Sequence, residues 1–254
     1  MRFNRFAPRR FDHPAYGIHL TFLCPELIEF CGALSFQWLF LDAEHGPLNP
    51  LLCRDLVRAA DLADMFCVVR VPSIDAALIA GYLDLGVLGI LAPDIQSAAQ
   101  AQALVQAVKF PPQGARGAAH KSRAAHYGQA FTQAEYLLQA NQATFTVALI
   151  ESQAGIDHLD AIMAVPGIDY LAIGPNDLAL SLGLKDGMAD PRVREIVAAA
   201  QARMLAVGKP QISVAMNAEQ GRASIVQGAT LVAIPDIALL GGAGRAFLEG
   251  LNHP

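Results

Sequence analysis

Charge is scarce in this chain of 254 residues: Asp, Glu, Lys and Arg together make up only 16%. The 18 Lys+Arg against 23 Asp+Glu leave a formal net charge of −5, which offers no field for gripping a phosphate backbone. Nucleic acid is not an expected partner. Long apolar runs are missing too: the uncharged stretch from Phe30 to Leu41 is broken by Gln37 and falls short of the roughly 20 residues that span a bilayer. No membrane contact is expected. Arg2, Arg5, Arg9 and Arg10 crowd the start without an apolar segment, which argues against a secretory signal and reads as a basic arm over residues 1–15. Pro8 and the shortness of this arm argue against an organellar transit peptide.

Cysteine is nearly absent. Cys24, Cys31, Cys53 and Cys67 form no C-x-x-C pair and sit in apolar segments, so they read as reduced core residues of a cytoplasmic protein rather than bridges or zinc ligands. Lysine is rarer than arginine, and none of Lys109, Lys121, Lys185 and Lys209 ends an apolar run. A Schiff-base enzyme is therefore disfavoured.

Apolar material, at 54% of residues with a mean hydropathy of +0.35, is ample for a large core and excludes disorder as the main state. Short aliphatic runs recur near Gly17–Phe22, Trp38–Asp42, Phe66–Arg70, Leu88–Ala92, Phe145–Glu151, Asp169–Gly174, Gln211–Ala215 and Thr230–Ile234. They are apolar almost throughout, as parallel strands covered on both faces require. Helical patterns follow each: Pro25–Leu34, Pro50–Ala63, Asp75–Leu85, Gln96–Lys109, Ala154–Ala164, Asn176–Leu182 with Pro191–Val207, Ala218–Gln227 and Asp236–Leu251. Pro25 and Pro50 suit first helical turns, and Gly86, Gly208 and Gly228 are placed to end helices. Repeating βα units of this size predict a single α/β domain closed as a (β/α)8 TIM barrel over residues 1–254. The long excursion from Pro93 to Thr144 is the one irregular segment.

Barrel active sites sit at the C-terminal ends of the strands. That rule selects Asp42, Glu44 and His45 after the second strand, Arg70 ending the third, Glu151 ending the fifth and Asp177 just past the sixth. Glu151 closes an apolar run, where an unpaired carboxylate is costly. It either pairs with Arg70 inside the barrel or joins Asp177 from the neighbouring strand in holding one hard divalent cation, Mg²⁺ or Mn²⁺ rather than structural zinc. Taken alone, Asp177 reads as an ordinary helix cap. His45 lies three residues past Asp42, within reach of its carboxylate if the loop turns back, and suits general acid–base work. Arg70 offers a fixed fork for a carboxylate or enolate. His19, inside the first strand, reads as core or pocket wall. The turn Gly174-Pro175-Asn176-Asp177 opens a helix whose free N–H groups favour a small anion.

At these residues the sequence resembles the HpcH/HpaI aldolases, metal-dependent enzymes that form or cleave pyruvate adducts. The resemblance lies in WLFLDAEHGPLNP (38–50), VVRVPS (68–73), FPPQGARG (110–117), LIESQAGIDHLDAIMAVPGIDYLAIGPNDLALSLG (149–183) and GATLVAI (228–234). It implies a barrel assembled as a homo-oligomer, typically a hexamer, with one Mg²⁺ or Mn²⁺, or alternatively Co²⁺, on Glu151 and Asp177. Pyruvate would chelate that ion through its keto and carboxylate oxygens, with Gly174, Pro175, Asn176 and Asp177 cradling the carboxylate. Arg70 would stabilise the enolate, and His45, supported by Asp42, would move protons through water. Asp84 also matches a family position, although a helix-end carboxylate is its plain alternative.

One departure stands out: where these aldolases commonly carry glutamine two residues before the metal-binding glutamate, this chain has Leu149, which should share the barrel interior with Glu151. The expected reaction is cleavage of a 4-hydroxy-2-oxo acid to pyruvate and an aldehyde. The alternatives are a citrate-lyase-like lyase or thioester enzyme on the same enolate site, or a barrel that only binds an oxo acid.

Overall fold

The computed structural model describes residues 14–252, so the basic arm expected over residues 1–15 lies almost wholly outside the described residues, and Ala15 already belongs to the first strand. Eight parallel strands close into one barrel in sequence order: β1 (Ala15–Leu20), β2 (Trp38–Asp42), β3 (Phe66–Arg70), β4 (Gly89–Ala92), β5 (Phe145–Ile150), β6 (Tyr170–Ile173), β7 (Gln211–Val214) and β8 (Ala229–Pro235). β1 pairs with both β2 and β8, which closes the cylinder.

The alternation of the strands sorts their side chains. Leu39, Leu41, Cys67, Val69, Ile90 and Ile150 face outward into the layer shared with the helices. Trp38, Phe40, Phe66, Val68, Val147 and Leu149 face inward. The lower interior is filled by aromatic rings: Trp38 lies parallel to Phe66 at 6.2 Å, Phe66 meets Phe145 edge-on at 6.1 Å, and Phe145 leans on Tyr170 at 5.1 Å. Gly17 is bare because a Cβ there would stand 2.4 Å from the Trp38 ring. This plug leaves only the C-terminal end of the barrel open to chemistry.

The helices are α1 (Pro25–Ala33), α2 (Pro50–Leu62), α3 (Ala76–Leu85), α4 (Ala98–Val108), α5 (Gln133–Ala143), α6 (Gln153–Asp157), α7 (Leu159–Met163), α8 (Pro175–Ser181), α9 (Pro191–Ala206), α10 (Ala218–Val226) and α11 (Asp236–Asn252). Asn49, Asp75 and Ser97 cap α2, α3 and α4 by accepting amide hydrogen bonds, each satisfying a donor the first turn leaves free. Gly86 ends α3 at φ +110, a conformation that side chains avoid. Two expectations are corrected. The helix read over Ala154–Ala164 is broken at His158, whose Nδ1 lies 2.9 Å from the Gln96 carbonyl. The excursion after Pro93 contains an additional helix, α5, started by a Thr132/Glu135 capping box.

The rest of that excursion crosses the bottom of the barrel. Arg123 donates to the Leu85 carbonyl and to Asp61, and Arg116, almost fully buried, donates to Asp84 at 2.7 Å while stacking over Phe110. Among the described residues, no helix is long and apolar enough to cross a membrane.

Candidate active site

The open end of the barrel gathers most of the residues selected from the sequence. Asp42 and Arg70 end adjacent strands in direct register. Their side chains form a two-pronged pair: Arg70 Nε donates to Asp42 Oδ1 at 3.0 Å and its terminal nitrogen to Oδ2 at 2.5 Å. Glu44 flanks the same guanidinium, with Oε2 3.2 Å from Nε. Burial alone would raise the Asp42 pKa, but the hydrogen bonds and charge of Arg70, with the His45 and Glu44 amides, hold it below its usual range. Burial opposes the charge on Arg70, yet Asp42, Glu44 and Glu151 outweigh it and keep the guanidinium charged. The expected salt bridge between Arg70 and Glu151 is therefore not the pairing found; Arg70 is held from the Asp42 side.

The relation between Asp42 and His45 is corrected. Asp42 Oδ1 accepts the backbone N–H groups of Glu44 at 3.0 Å and His45 at 3.2 Å, so it shapes the loop rather than the imidazole. The carboxylate beside the ring is that of Glu44, 3.7 Å from His45 Nε2, and the imidazole is mostly exposed at the mouth. His19 takes the pocket-wall role: it lies 4.5 Å from the Phe40 ring, and burial lowers its pKa.

Glu151 is buried at the end of β5. Its Oε1 accepts the Asp94 backbone N–H at 2.9 Å, and its other oxygen lies against the bare Cα of Gly174, where a Cβ would come within 2.5 Å. Burial, opposed by the Asp94 amide and reinforced by the charges of Asp177 and Glu44, pushes its pKa up to about 7. Burial likewise raises Glu44, whose enclosed Oε2 makes ion-pair contact with Arg70 but accepts no well-formed hydrogen bond. Asp177 stands in the first turn of α8, where a carboxylate suits the helix N-terminus, and its charge reaches Glu151. Pro175 opens the same turn, and Asn176 turns its amide oxygen toward Gly187.

These carboxylates hold more anionic oxygen than Arg70 neutralises, and a hard divalent cation would relieve the excess. Glu151 and Asp177 would hold it. Among the described residues, no three His, Cys, Asp or Glu side chains form a complete metal-binding cluster, so the remaining positions would fall to water and substrate oxygens. Leu149 is buried one layer below Glu151, among Phe40, Val147 and Ala172.

The structure does not bring Asp84 to this mouth. It lies in the last turn of α3, at the opposite end of the barrel, paired with Arg116. Conversely, two contributors went unread in the sequence. Asp236, 1% exposed at the end of β8, accepts the Thr21 and Phe22 amides at 2.9 Å each and pins the loop after β1 to the rim. It ends an apolar strand, the same signal that selected Asp42 and Arg70. Asp94 acts through its backbone and leaves no side-chain signal.

The fold and site together define a (β/α)8 barrel whose C-terminal mouth holds a buried glutamate, Glu151, within the field of Asp177, along with a guanidinium fixed by Asp42. The HpcH/HpaI aldolase/citrate lyase family model matches residues 16–235, and the chain belongs to that family. It is 35% identical to a hydroxypyruvate/pyruvate aldolase of Deinococcus radiodurans over 92% of this chain and 84% of that one. It is 35% identical to a 5-keto-4-deoxy-D-glucarate aldolase of Escherichia fergusonii over 83% and 81%. A family member from Burkholderia cenocepacia, of known crystal structure, superposes with a TM-score of 0.87 at 30% identity, covering 95% of each chain.

Proposed function

We propose that the chain is a single-domain, divalent-metal-dependent aldolase that reversibly cleaves a 4-hydroxy-2-oxo acid to pyruvate and an aldehyde. The observation that carries this reading is the presence at one barrel mouth of a buried glutamate, Glu151, seated on the Asp94 amide, and a separate guanidinium, Arg70, locked by Asp42. A Mg²⁺, Mn²⁺ or Co²⁺ ion held by Glu151 and Asp177 would polarise the keto oxygen and draw charge toward it. In cleavage, the 4-hydroxyl loses its proton, the C3–C4 bond breaks to release the aldehyde, and the electron pair moves to C3. A proton returned to C3 then gives pyruvate. Arg70 faces the charge that appears during that step, and its position needs no reorganisation because Asp42 and Glu44 already hold it. His45, at the rim beside Glu44, is placed to pass the hydroxyl proton through water. The backbone N–H groups of Asn176 and Asp177, in the first turn of α8, are the donors left for the substrate carboxylate, since Pro175 has none and Gly174 donates to the Ile150 carbonyl, and Leu149 gives the floor an apolar patch.

The relatives' names support this substrate class: one acts on hydroxypyruvate and pyruvate, another on a keto-deoxy sugar acid. A homo-oligomer, with the hexamer as its expected size, is supported by α11, which packs on β8 and β1 while Ile237, Leu240, Phe247, Leu248 and Leu251 remain exposed. Free thiols at Cys24, Cys31, Cys53 and Cys67 support work in the reducing cytoplasm. The test is to strip the protein with a chelator, add back Mg²⁺, Mn²⁺ or Co²⁺, and follow pyruvate release from a panel of 4-hydroxy-2-oxo acids. Activity should vanish and return with the ion; full activity in metal-free buffer would contradict the proposal.

A further inference from the structure

The Glu151 carboxylate is seated by backbone from both neighbouring strands. On the β6 side, the missing side chain of Gly174 gives it room. On the β4 side, the chain leaves Ala92 through Pro93 and turns at Asp94 into the left-handed region, φ +45, one of the few described non-glycine residues there. That turn aims two successive amides at β5: the Asp94 N–H meets Glu151 Oε1 at 2.9 Å, and the Ile95 N–H meets the Leu149 carbonyl at 3.0 Å. A regular extended strand would point consecutive amides to opposite sides. The kink is therefore what puts a donor on the carboxylate.

Asp94 tolerates this conformation better than most residues, because a short polar side chain can bond locally there. It does so here, since Gln96 Nε2 donates to Asp94 Oδ2 at 2.6 Å and closes a small turn over the kink. Gln96 is itself tied down: its amide donates to Gln100 Oε1 at 2.8 Å, and its carbonyl lies 2.9 Å from His158 Nδ1. The Asp94 residue is exposed and its carboxylate accepts from Gln96, whereas its backbone N–H is what meets Glu151, so its contribution to the site runs through the backbone it holds.

We infer that Asp94 is a positioning residue: its left-handed backbone, braced by Gln96, fixes the rotamer in which Glu151 presents its free oxygen to a divalent cation. The inference rests on the metal reading above. Removing a partner that orients a metal ligand typically costs about 10–100-fold in metal affinity.

The test uses Mn²⁺ binding to the full chain, read from the loss of free Mn²⁺ signal by electron paramagnetic resonance, with the metal-free thermal midpoint as a check on folding. Asp94→Asn keeps both the local acceptor and the tolerance for positive φ, and it should bind Mn²⁺ within about 3-fold of the parent. Asp94→Val puts a β-branched residue where φ is positive and should weaken binding at least ~10-fold. Gln96→Ala should fall between them, since it removes the brace and keeps the amide. Glu151→Gln separates the two levels of the argument. Strong loss in Glu151→Gln beside unchanged Mn²⁺ affinity in Asp94→Val would overturn the positioning role alone. Unchanged affinity in Glu151→Gln would overturn the metal reading, and the positioning role with it. If Asp94→Asn lost affinity as fully as Asp94→Val, the side-chain charge rather than the backbone would be responsible, and the inference would fail.

Discussion

Gly174→Ala is the smallest change that reaches the centre of this site. The backbone at Gly174 has φ −98 and ψ 89, which alanine adopts without strain, so the whole effect is steric. The new Cβ would sit 2.5 Å from Glu151 Oε2 and 2.9 Å from Glu151 Cβ. Rotating the carboxylate relieves the first contact but not the second, so β5 or β6 must also move. Overpacking of this kind costs about 1–3 kcal/mol, and at roughly 2–4 °C per kcal/mol for a chain of this size the thermal midpoint should fall by about 2–12 °C. The carboxylate that swings away also leaves the Asp94 amide. Metal affinity should therefore drop by ~10–100-fold. Gly117→Ala is the control, because a Cβ there meets nothing within 4 Å. Calorimetric titration of Mn²⁺ into both variants, together with their melting curves, reads the two effects separately. Parental Mn²⁺ affinity in Gly174→Ala would refute the claim that this glycine makes room for a metal ligand.

Arg70→Ala should lower turnover by about 10²–10³-fold, the range for losing one main electrostatic stabiliser; parental kcat in a folded Arg70→Ala protein would remove Arg70 from the chemistry. Leu149→Gln adds a donor and an acceptor beneath Glu151, and should shift the kcat/KM ratio for hydroxylated over apolar aldehydes by roughly 2- to 13-fold, one hydrogen bond's net value of about 0.5–1.5 kcal/mol. An unchanged ratio with a lower thermal midpoint would assign Leu149 to packing. The depressed pKa of Asp42 means that its ionised form stabilises the fold above its ordinary carboxylate range, and that this contribution is lost as pH falls through the lower, folded value. Asp42→Asn should flatten the acid limb of the stability curve below about pH 4, measured by urea unfolding at stepped pH; parallel curves for the two proteins would contradict it.

The barrel was readable because its strands carry an unusually plain signal. WLFLD and FCVVR are apolar to the last residue and then end in charge, and both strands start and stop where that pattern says. Helix ends followed from Pro and Gly for the same reason. The break at His158 was not readable, since GIDHLDAIM runs on in helical character and the interruption comes with a contact to the Gln96 carbonyl, 62 positions away. α5 did leave a mark, Thr132 three residues before Glu135, but the surrounding excursion hid it. Asp42, Arg70, Glu151 and Asp177 stood out in the sequence because each ends a strand or lies just past one, and the structure puts them at those positions. Their pairings were harder: sequence proximity pointed Asp42 at His45, whereas strand register set it opposite Arg70. The roles of Asp94 and Gly174 depend on a backbone amide and on a missing Cβ, and side-chain chemistry cannot announce either.

The central claim is that this mouth generates the enolate of pyruvate with the help of a divalent cation, and the exchange of the pyruvate methyl protons in deuterated water measures that step without knowledge of the aldehyde. Followed by proton magnetic resonance, exchange should be fast with the parent protein and Mg²⁺, fall to background after chelation, recover on adding the ion back, and be nearly abolished in Arg70→Ala and Glu151→Gln. Background exchange by the parent protein with every ion tried, or exchange that persists unchanged after chelation, would contradict the account.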